Sequence, residues 1–84
     1  MRAESVLAFG RRVRELRIAR RWPLERLARE SSLTVSTISG IERGVQEPRL
    51  STVTSLIYTL EVSPGALIGE LPDNKTAKRD ERVA

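Results

Sequence analysis

Apolar residues near the N-terminus recur at steps of three and four positions. The series is Val6, Phe9, Val13 and Leu16, and charged residues occupy the faces between them. This spacing is typical of an amphipathic helix that packs one side against a core. It predicts a first helix from about residue 5 to residue 20.

Two short helices are predicted next. The second helix, over residues 23–30, opens with Pro23, which is tolerated in a first helical turn. The third helix, over residues 35–43, has Thr34 as N-cap and Gly44 as C-terminal stop. Only about three residues join these two helices, so they must cross steeply and present one of them on the surface. This arrangement is a helix-turn-helix.

The spacing of small and apolar residues supports that interpretation. In a helix-turn-helix, small or apolar residues at fixed positions fill the space between the two helices. Counted from Leu24, these positions hold Leu27, Ala28, Leu33, Ile38 and Ile41. Two packed helices with no role in DNA binding remain the alternative, since the same residues would fill their interface.

The C-terminal half of the chain predicts two more helices. A fourth helix, ending near residue 61, carries Leu50, Val53, Leu56, Ile57 and Leu60 at helical spacing. Ser63 and Pro64 then cap and open a short fifth helix. Its apolar residues are Leu67, Ile68 and Leu71. They form more apolar surface than so short a helix needs for inward packing, so we expect them to form a homodimer interface.

The predicted domain is all-α and extends over residues 1–71. Residues 72–84 are highly charged and include one large apolar residue, Val83, so this segment is predicted to be a disordered tail. A chain of 84 residues is long enough for one compact domain at most.

Composition excludes most enzyme chemistry. The chain has no His and no Cys, which rules out Cys/His zinc sites, disulfides, cysteine nucleophiles and Ser-His-Asp triads. A Ser-Lys pair is the remaining option, but Lys75 and Lys78 fall in the predicted tail. We therefore expect no enzyme, cofactor or metal. No apolar run is long enough for a membrane span and no signal peptide is evident, so a cytoplasmic location is expected.

The charge is concentrated in the first third of the chain. Between residues 2 and 29 there are nine Arg and three Glu, whereas the whole chain has a net charge of +4. This asymmetry favours a polyanionic partner, although a solvated helix face would carry the same charges.

Several motifs resemble those of a known family. Phe9-Gly10, Leu27-Ala28 and the residues from Thr34 to Gly44 look like the phage repressor and Cro type of helix-turn-helix, over about residues 7–71. The segment 38–44, Ile-Ser-Gly-Ile-Glu-Arg-Gly, is similar to that of restriction–modification controller proteins. The resemblance implies a five-helix, lambda-repressor-like domain that binds duplex DNA as a symmetric dimer, with its third helix in the major groove.

The resemblance also implies which residues meet DNA. The third-helix residues that suit base or groove contacts are Val35, Ser36, Thr37 and Ser39. The cations that suit phosphate contacts are Arg20, Arg21, Arg43 and Arg49. The alternative is that the hydroxyls merely cap a helix and that the arginines merely solvate helix ends.

Two further roles concern the inside of the domain. Arg17 and Glu42 look like the family's internal ion pair between the first helix and the end of the third, the alternative being that both are solvated. We expect Trp22 to plug the core under the first loop, because a helix-turn-helix reads duplex DNA and not splayed bases.

Three departures from the family pattern qualify these expectations. Leu24 stands where a polar residue often begins the second helix, and it cannot hydrogen-bond a phosphate. Val35 and Gly40 stand where long polar side chains are common, so we expect DNA shape to supply part of the sequence preference. Ser32 stands where the turn usually has Gly, so a left-handed backbone there would carry a small strain.

The sequence as a whole predicts a transcription regulator that binds an operator with two-fold symmetry, with the restriction–modification controllers as the nearest candidate group. The alternative is an antitoxin-type protein that also binds DNA and neutralises a protein partner through its tail.

Overall fold

Five α-helices joined by short turns make up residues 3–68, the part of the chain that the computed structural model describes. They are α1 (Ala3–Ala19), α2 (Leu24–Ser31), α3 (Val35–Glu42), α4 (Leu50–Leu60) and α5 (Pro64–Ile68). The described residues contain no strand, which confirms the all-α, five-helix prediction. The predicted limits of α1 to α4 agree with the structure within two residues. Leu71 and the predicted tail lie outside the described residues.

The helix ends follow the local chemistry with one small correction. Pro23 is the residue before α2 and not its first residue, because its backbone is extended (φ −69°, ψ 164°). The Thr34 hydroxyl caps α3 as predicted, accepting a hydrogen bond from the backbone N–H of Thr37 at 3.0 Å. The Ser63 hydroxyl caps α5 by accepting from the N–H of Ala66 at 3.2 Å. Gly44 ends the α3 segment with a positive φ of 75°.

The turn between α2 and α3 has the expected left-handed residue. Ser32 has φ 60° and ψ 33°, and the following N–H, that of Leu33, donates to the carbonyl of Ala28 at 2.9 Å. Arg21 and Glu61 have the same left-handed backbone, with φ of 58° and 53°. Three turns thus use a non-glycine residue where glycine would be unstrained.

The core takes residues from every helix. The buried apolar side chains are Phe9, Val13, Leu27, Ala28, Ile38, Ile41, Leu56, Leu60 and Leu67. They include four of the five residues that were predicted to fill the space between α2 and α3. The fifth, Leu33, is partly exposed and packs against the same cluster. The helical periodicity read from the sequence therefore identified the buried faces.

Helix α5 packs inward, which corrects part of the dimer prediction. Leu67 is only 2% exposed and belongs to the core of its own chain. The Arg12 guanidinium also donates to the carbonyl of Ala66 at 2.8 Å, which ties α5 to α1. Leu67 therefore has no surface to offer a second copy. Ile68 is half-buried and stays a candidate.

Gly10 sets the distance between α1 and α3. A Cβ built on Gly10 would lie 1.9 Å from the carbonyl oxygen of Ile41, well inside contact distance. The two helices thus meet backbone to backbone, and only a residue without a side chain permits this approach.

We expect Gly10→Ala to destabilise the domain by about 3 kcal/mol or more, because backbone atoms of α3 cannot move aside as a flexible side chain can. Gly65→Ala is the matched control, since a Cβ there has no heavy atom within 4 Å. It should stabilise the domain by about 0.5–1 kcal/mol through the unfolded chain and helix propensity. Urea unfolding followed by circular dichroism measures both, and equal stabilities would contradict the backbone contact.

Candidate nucleic-acid interface

Helix α3 divides into an inner and an outer face. Ile38 and Ile41 are buried in the core, whereas Gly40 is buried on the other side of the helix, beneath the side chain of Gln46. The outer face carries Val35, Ser39 and Arg43 in one row at four-residue spacing, with Ser36 beside them and Thr37 at the edge. Val35, Ser36 and Arg43 are exposed, and Thr37 and Ser39 are partly exposed. The structure thus brings the four predicted groove residues and Arg43 together on one surface.

A hydroxyl network fixes the start of this surface. Thr34 Oγ1 accepts from the N–H of Thr37 at 3.0 Å and donates its own proton to Thr37 Oγ1 at 2.8 Å. This contact holds the Thr37 hydroxyl at the start of the outer face, where it can still donate or accept a further hydrogen bond.

Arg43 is oriented by the same helix. Its Nε donates to Ser39 Oγ at 3.2 Å, one turn back along α3. This contact lays the guanidinium along the outer face of the helix, and it makes Ser39 a positioning partner of Arg43. The structure thus joins a residue that the sequence predicted for base contacts to one that it predicted for phosphate contacts.

A polar groove of about 410 Å³ adjoins α3 on the side of α4. Thr37 lines it from α3, and Arg49, Ser51 and Thr52 line it from the start of α4. Arg49 precedes α4 as its capping residue, and no side chain caps this helix. The first N–H groups of α4 and the exposed Arg49 guanidinium therefore present donors beside the outer face of α3.

Gln46 is a residue of this surface that the sequence analysis missed. Its side chain lies against Gly40, with Oε1 only 2.8 Å from the position that a Cβ of Gly40 would take. The polar character of Gln46 and its place after α3 were visible in the sequence. The loop conformation that folds it back onto the helix was not.

Arg20 does not join this group. Its guanidinium donates to the carbonyl of Leu60, at the C-terminal end of α4. Helix α4 has 11 residues, so Leu60 lies about 15 Å from the helix start where Arg49 is found. Arg20 thus has an acceptor inside the protein at the far end of α4, and Arg21 is exposed beside it in the same turn. Phosphate contact at Arg20 and Arg21 stays a prediction, as it does at Arg43 and Arg49.

Arg17 and Glu42 form a bidentate pair under the outer face. Arg17 Nε lies 2.7 Å from Glu42 Oε2, and Nη2 lies 3.0 Å from Oε1. The side chains are 12% and 6% exposed. A third donor, Nη1, bonds the carbonyl of Trp22 at 2.8 Å, so the guanidinium links α1, the following turn and the last residue of α3.

The hydrogen bond to Glu42 raises the pKa of Arg17 above its ordinary value, although burial opposes part of this shift. A raised pKa in the folded state means that the stabilisation is fully present below the unfolded-state pKa and is lost only at strongly alkaline pH. The guanidinium is therefore charged across the whole physiological range.

Trp22 is partly buried against the core, as the sequence predicted. The guanidinium of Arg26 lies over its ring at 4.5 Å from the centroid. This cation covers a face of the indole that a nucleic-acid base would otherwise use for stacking. The arrangement favours a structural role for Trp22.

We expect Glu42→Gln to cost about 3–5 kcal/mol, because it leaves the Arg17 charge buried without a counter-charge. Glu15→Gln is the matched control. Glu15 pairs with Arg12 at 3.7 Å, and the two side chains are 68% and 34% exposed. That solvent-screened pair should be worth less than about 0.5 kcal/mol. Thermal and urea unfolding compare the two variants, and similar losses would mean that the buried pair does not stabilise the fold.

No helix among residues 3–68 combines the length and apolar character that a membrane span requires. The same residues contain no group of three or more acidic side chains that could hold a metal ion.

Comparison with known proteins gives one family. A family model described as a helix-turn-helix domain matches residues 8–71. The structure is similar to that of the restriction-modification controller protein C.AhdI from Aeromonas hydrophila, with 37% identity and a TM-score of 0.71, over 74% of this chain and 94% of that chain. No curated protein matches.

A second solved structure supports the fold alone. The hypothetical transcription factor NHTF from Neisseria is 24% identical, with a TM-score of 0.72, over 86% of this chain and 82% of that chain. The two similar structures and the family model confirm the helix-turn-helix that the sequence spacing predicted.

Proposed function

Because the chain belongs to the helix-turn-helix family, we propose that it is a transcription regulator that binds an operator sequence-specifically, as a dimer on a site with two-fold symmetry. The observation that carries this proposal is the outer face of α3. Its exposed side chains are short or basic, and donors from the start of α4 flank it.

Helix α3 suits the major groove in size and chemistry. An α-helix with its side chains is about 10–12 Å across, close to the width of the major groove in B-form DNA. The eight residues of α3 extend over about 12 Å along the helix axis. The Val35 methyl groups can contact a thymine methyl, while Ser36 and Thr37 can reach acceptors on base edges. Because these side chains are short, the helix backbone can approach the bases closely.

Arg43 and Arg49 suit phosphates beside this helix. Both are exposed, and Arg43 is held in place by Ser39. Guanidinium groups bind phosphate oxygens in a bidentate manner, so two such contacts would fix the register of α3 on the duplex without selecting a sequence.

We include a homodimer in the proposal, but its interface differs from the one that the sequence predicted. Leu67 fills its own chain's core, which leaves Ile68 and the neighbouring Leu71 as the residues that we propose for the contact. Two-fold symmetry of the protein would place two copies of α3 about 34–36 Å apart, one helical turn of DNA.

Within the family, we propose a controller of a restriction–modification system. The segment 38–44 and the 37% identity to C.AhdI over 94% of that chain support this choice. The antitoxin alternative depends on the tail, and nothing among residues 3–68 specifically favours it.

Selection of bound duplexes from a random library at low salt tests the proposed function. We expect an enriched motif with two-fold symmetry and half-sites one helical turn apart. Sedimentation of the complex should give two chains per duplex. A library that returns no enriched motif would contradict sequence-specific binding, and one chain per site would contradict the dimer.

We expect Arg43→Ala and Arg49→Ala to weaken binding to all duplexes alike, and to reduce the salt slope by about one unit each. Ser36→Ala and Thr37→Ala should instead lose about 1–3 kcal/mol on the preferred site only. Titrations of each variant on preferred and random duplexes over a salt series separate these effects. Sequence-selective losses at the arginines with uniform losses at the hydroxyls would reverse the assignment.

Arg14→Ala is the control for charge. Arg14 lies on the exposed side of α1, whose buried side packs against the inner face of α3. It is not part of the proposed interface, so its removal should leave the salt slope unchanged. A reduced slope for this variant would mean that the net charge of the chain governs binding.

A further inference from the structure

The side chain of Gln46 occupies the place of the side chain that α3 lacks at Gly40. A Cβ on Gly40 would lie 2.8 Å from Gln46 Oε1 and 3.2 Å from Gln46 Cβ. The backbone is fixed at the same place, because the N–H groups of Val45 and Gln46 both donate to the Gly40 carbonyl, at 3.0 and 3.2 Å. Gly40 thus acts as a seat for both the loop and the amide.

This seat lies on the side of α3 that the proposed interface uses. Gly40 follows Ser36 by four residues and Thr37 by three, so it is their neighbour on the helix surface. Gln46 and Thr37 also line the same groove. The Gln46 amide therefore continues the surface of Ser36 and Thr37 one turn further along α3.

The other polar side chains on this surface are hydroxyls, arginines and the carboxylate of Glu47. None of them presents a donor and an acceptor on two separate atoms, as an amide does. Arginine has no acceptor at all. The hydroxyls and arginines suit guanine N7 and O6 and thymine O4 in the major groove, and the phosphate oxygens of the DNA backbone.

Adenine requires a different partner. Its major-groove edge presents the N7 acceptor beside the N6 amino donor, and the side chains that match this pair are the amides of Asn and Gln. Gln46 is the only Gln in the chain, and the only Asn is Asn74, in the predicted tail. Among residues 3–68, Gln46 is therefore the one side chain with this chemistry.

We propose that Gln46 determines specificity by reading an adenine in each half-site, accepting from N6 through Oε1 and donating to N7 through Nε2. The proposal rests on the proposed function, since it assigns a role within the same interface. Gly40 contributes by leaving room for the amide on the helix surface.

The test begins with the duplex motif that the wild-type chain selects. Binding of the wild type, Gln46→Ala and Gly40→Ala is then measured on that site and on versions with each base pair changed. Val45→Ala is the matched control, because Val45 is the neighbouring loop residue and is 69% exposed. Circular dichroism checks that each variant folds.

We expect Gln46→Ala to lose about 10- to 100-fold of discrimination at one adenine per half-site and to keep the other base preferences. Gly40→Ala should give the same loss, because its Cβ would lie 2.8 Å from Gln46 Oε1 and 3.2 Å from Gln46 Cβ, so that the Gln46 side chain must move away from the helix surface. The double variant Gly40→Ala/Gln46→Ala should be no worse than either single variant, since both remove one contact. Val45→Ala should retain the wild-type preferences.

A duplex with 7-deazaadenine at the implicated position supplies a second measurement. It lacks N7, so it should weaken the wild type and leave Gln46→Ala unaffected. If Gln46→Ala keeps every base preference, or loses affinity equally on all duplexes as a phosphate contact would, the inference is overturned while the proposed function stands. A wild-type chain that selects no motif overturns the proposed function itself.

Discussion

The orientation of α3 depends on its contact with α1. At Gly10 the backbones of the two helices meet, since even a methyl group there would overlap the Ile41 carbonyl. One residue further along α3, Glu42 is held by two hydrogen bonds from Arg17. The short turn to α2 constrains only the start of α3. The close approach at Gly10 and the buried ion pair at the end of the helix therefore set the direction in which the outer face of α3 points.

This constraint determines which residues form the outer face of α3. Once Ile38 and Ile41 are directed into the core, the residues left outside are Val35, Ser36, Ser39 and Arg43, with Thr37 at the edge. Gly40 lies at the boundary and has no side chain, so the loop after α3 can fold back and place Gln46 there. The surface is thus assembled from two segments, a helix and the loop that follows it.

Local chemistry was readable from the sequence because it depends on near neighbours. Thr34 caps α3 through a residue three positions away, and the left-handed turn at Ser32 is set by its adjoining helix. Contacts between distant residues were not readable. The periodicity of α5 shows that Leu67 is on an apolar face, but it cannot tell whether the same chain or a second copy covers that face.

Arg20 and Gln46 illustrate the same limit within the candidate site. The sequence shows a cation in a turn, and only the fold reveals that the Leu60 carbonyl, 40 residues away, accepts from it. Likewise, the sequence shows a polar residue after α3, and only the loop conformation brings it against Gly40. Both outcomes depend on tertiary geometry that helical spacing does not encode.

The central claim is that α3 and its following loop form the surface that recognises DNA sequence. Backbone and side-chain amide NMR shifts of the full chain, followed during titration with the selected duplex and with a random duplex at the same salt, test it most directly. Recognition by this surface should concentrate the shifts specific to the selected duplex in residues 34–40 and at the Gln46 side-chain amide. Shifts concentrated instead around Tyr58 on the exposed face of α4, with α3 unchanged, would contradict it.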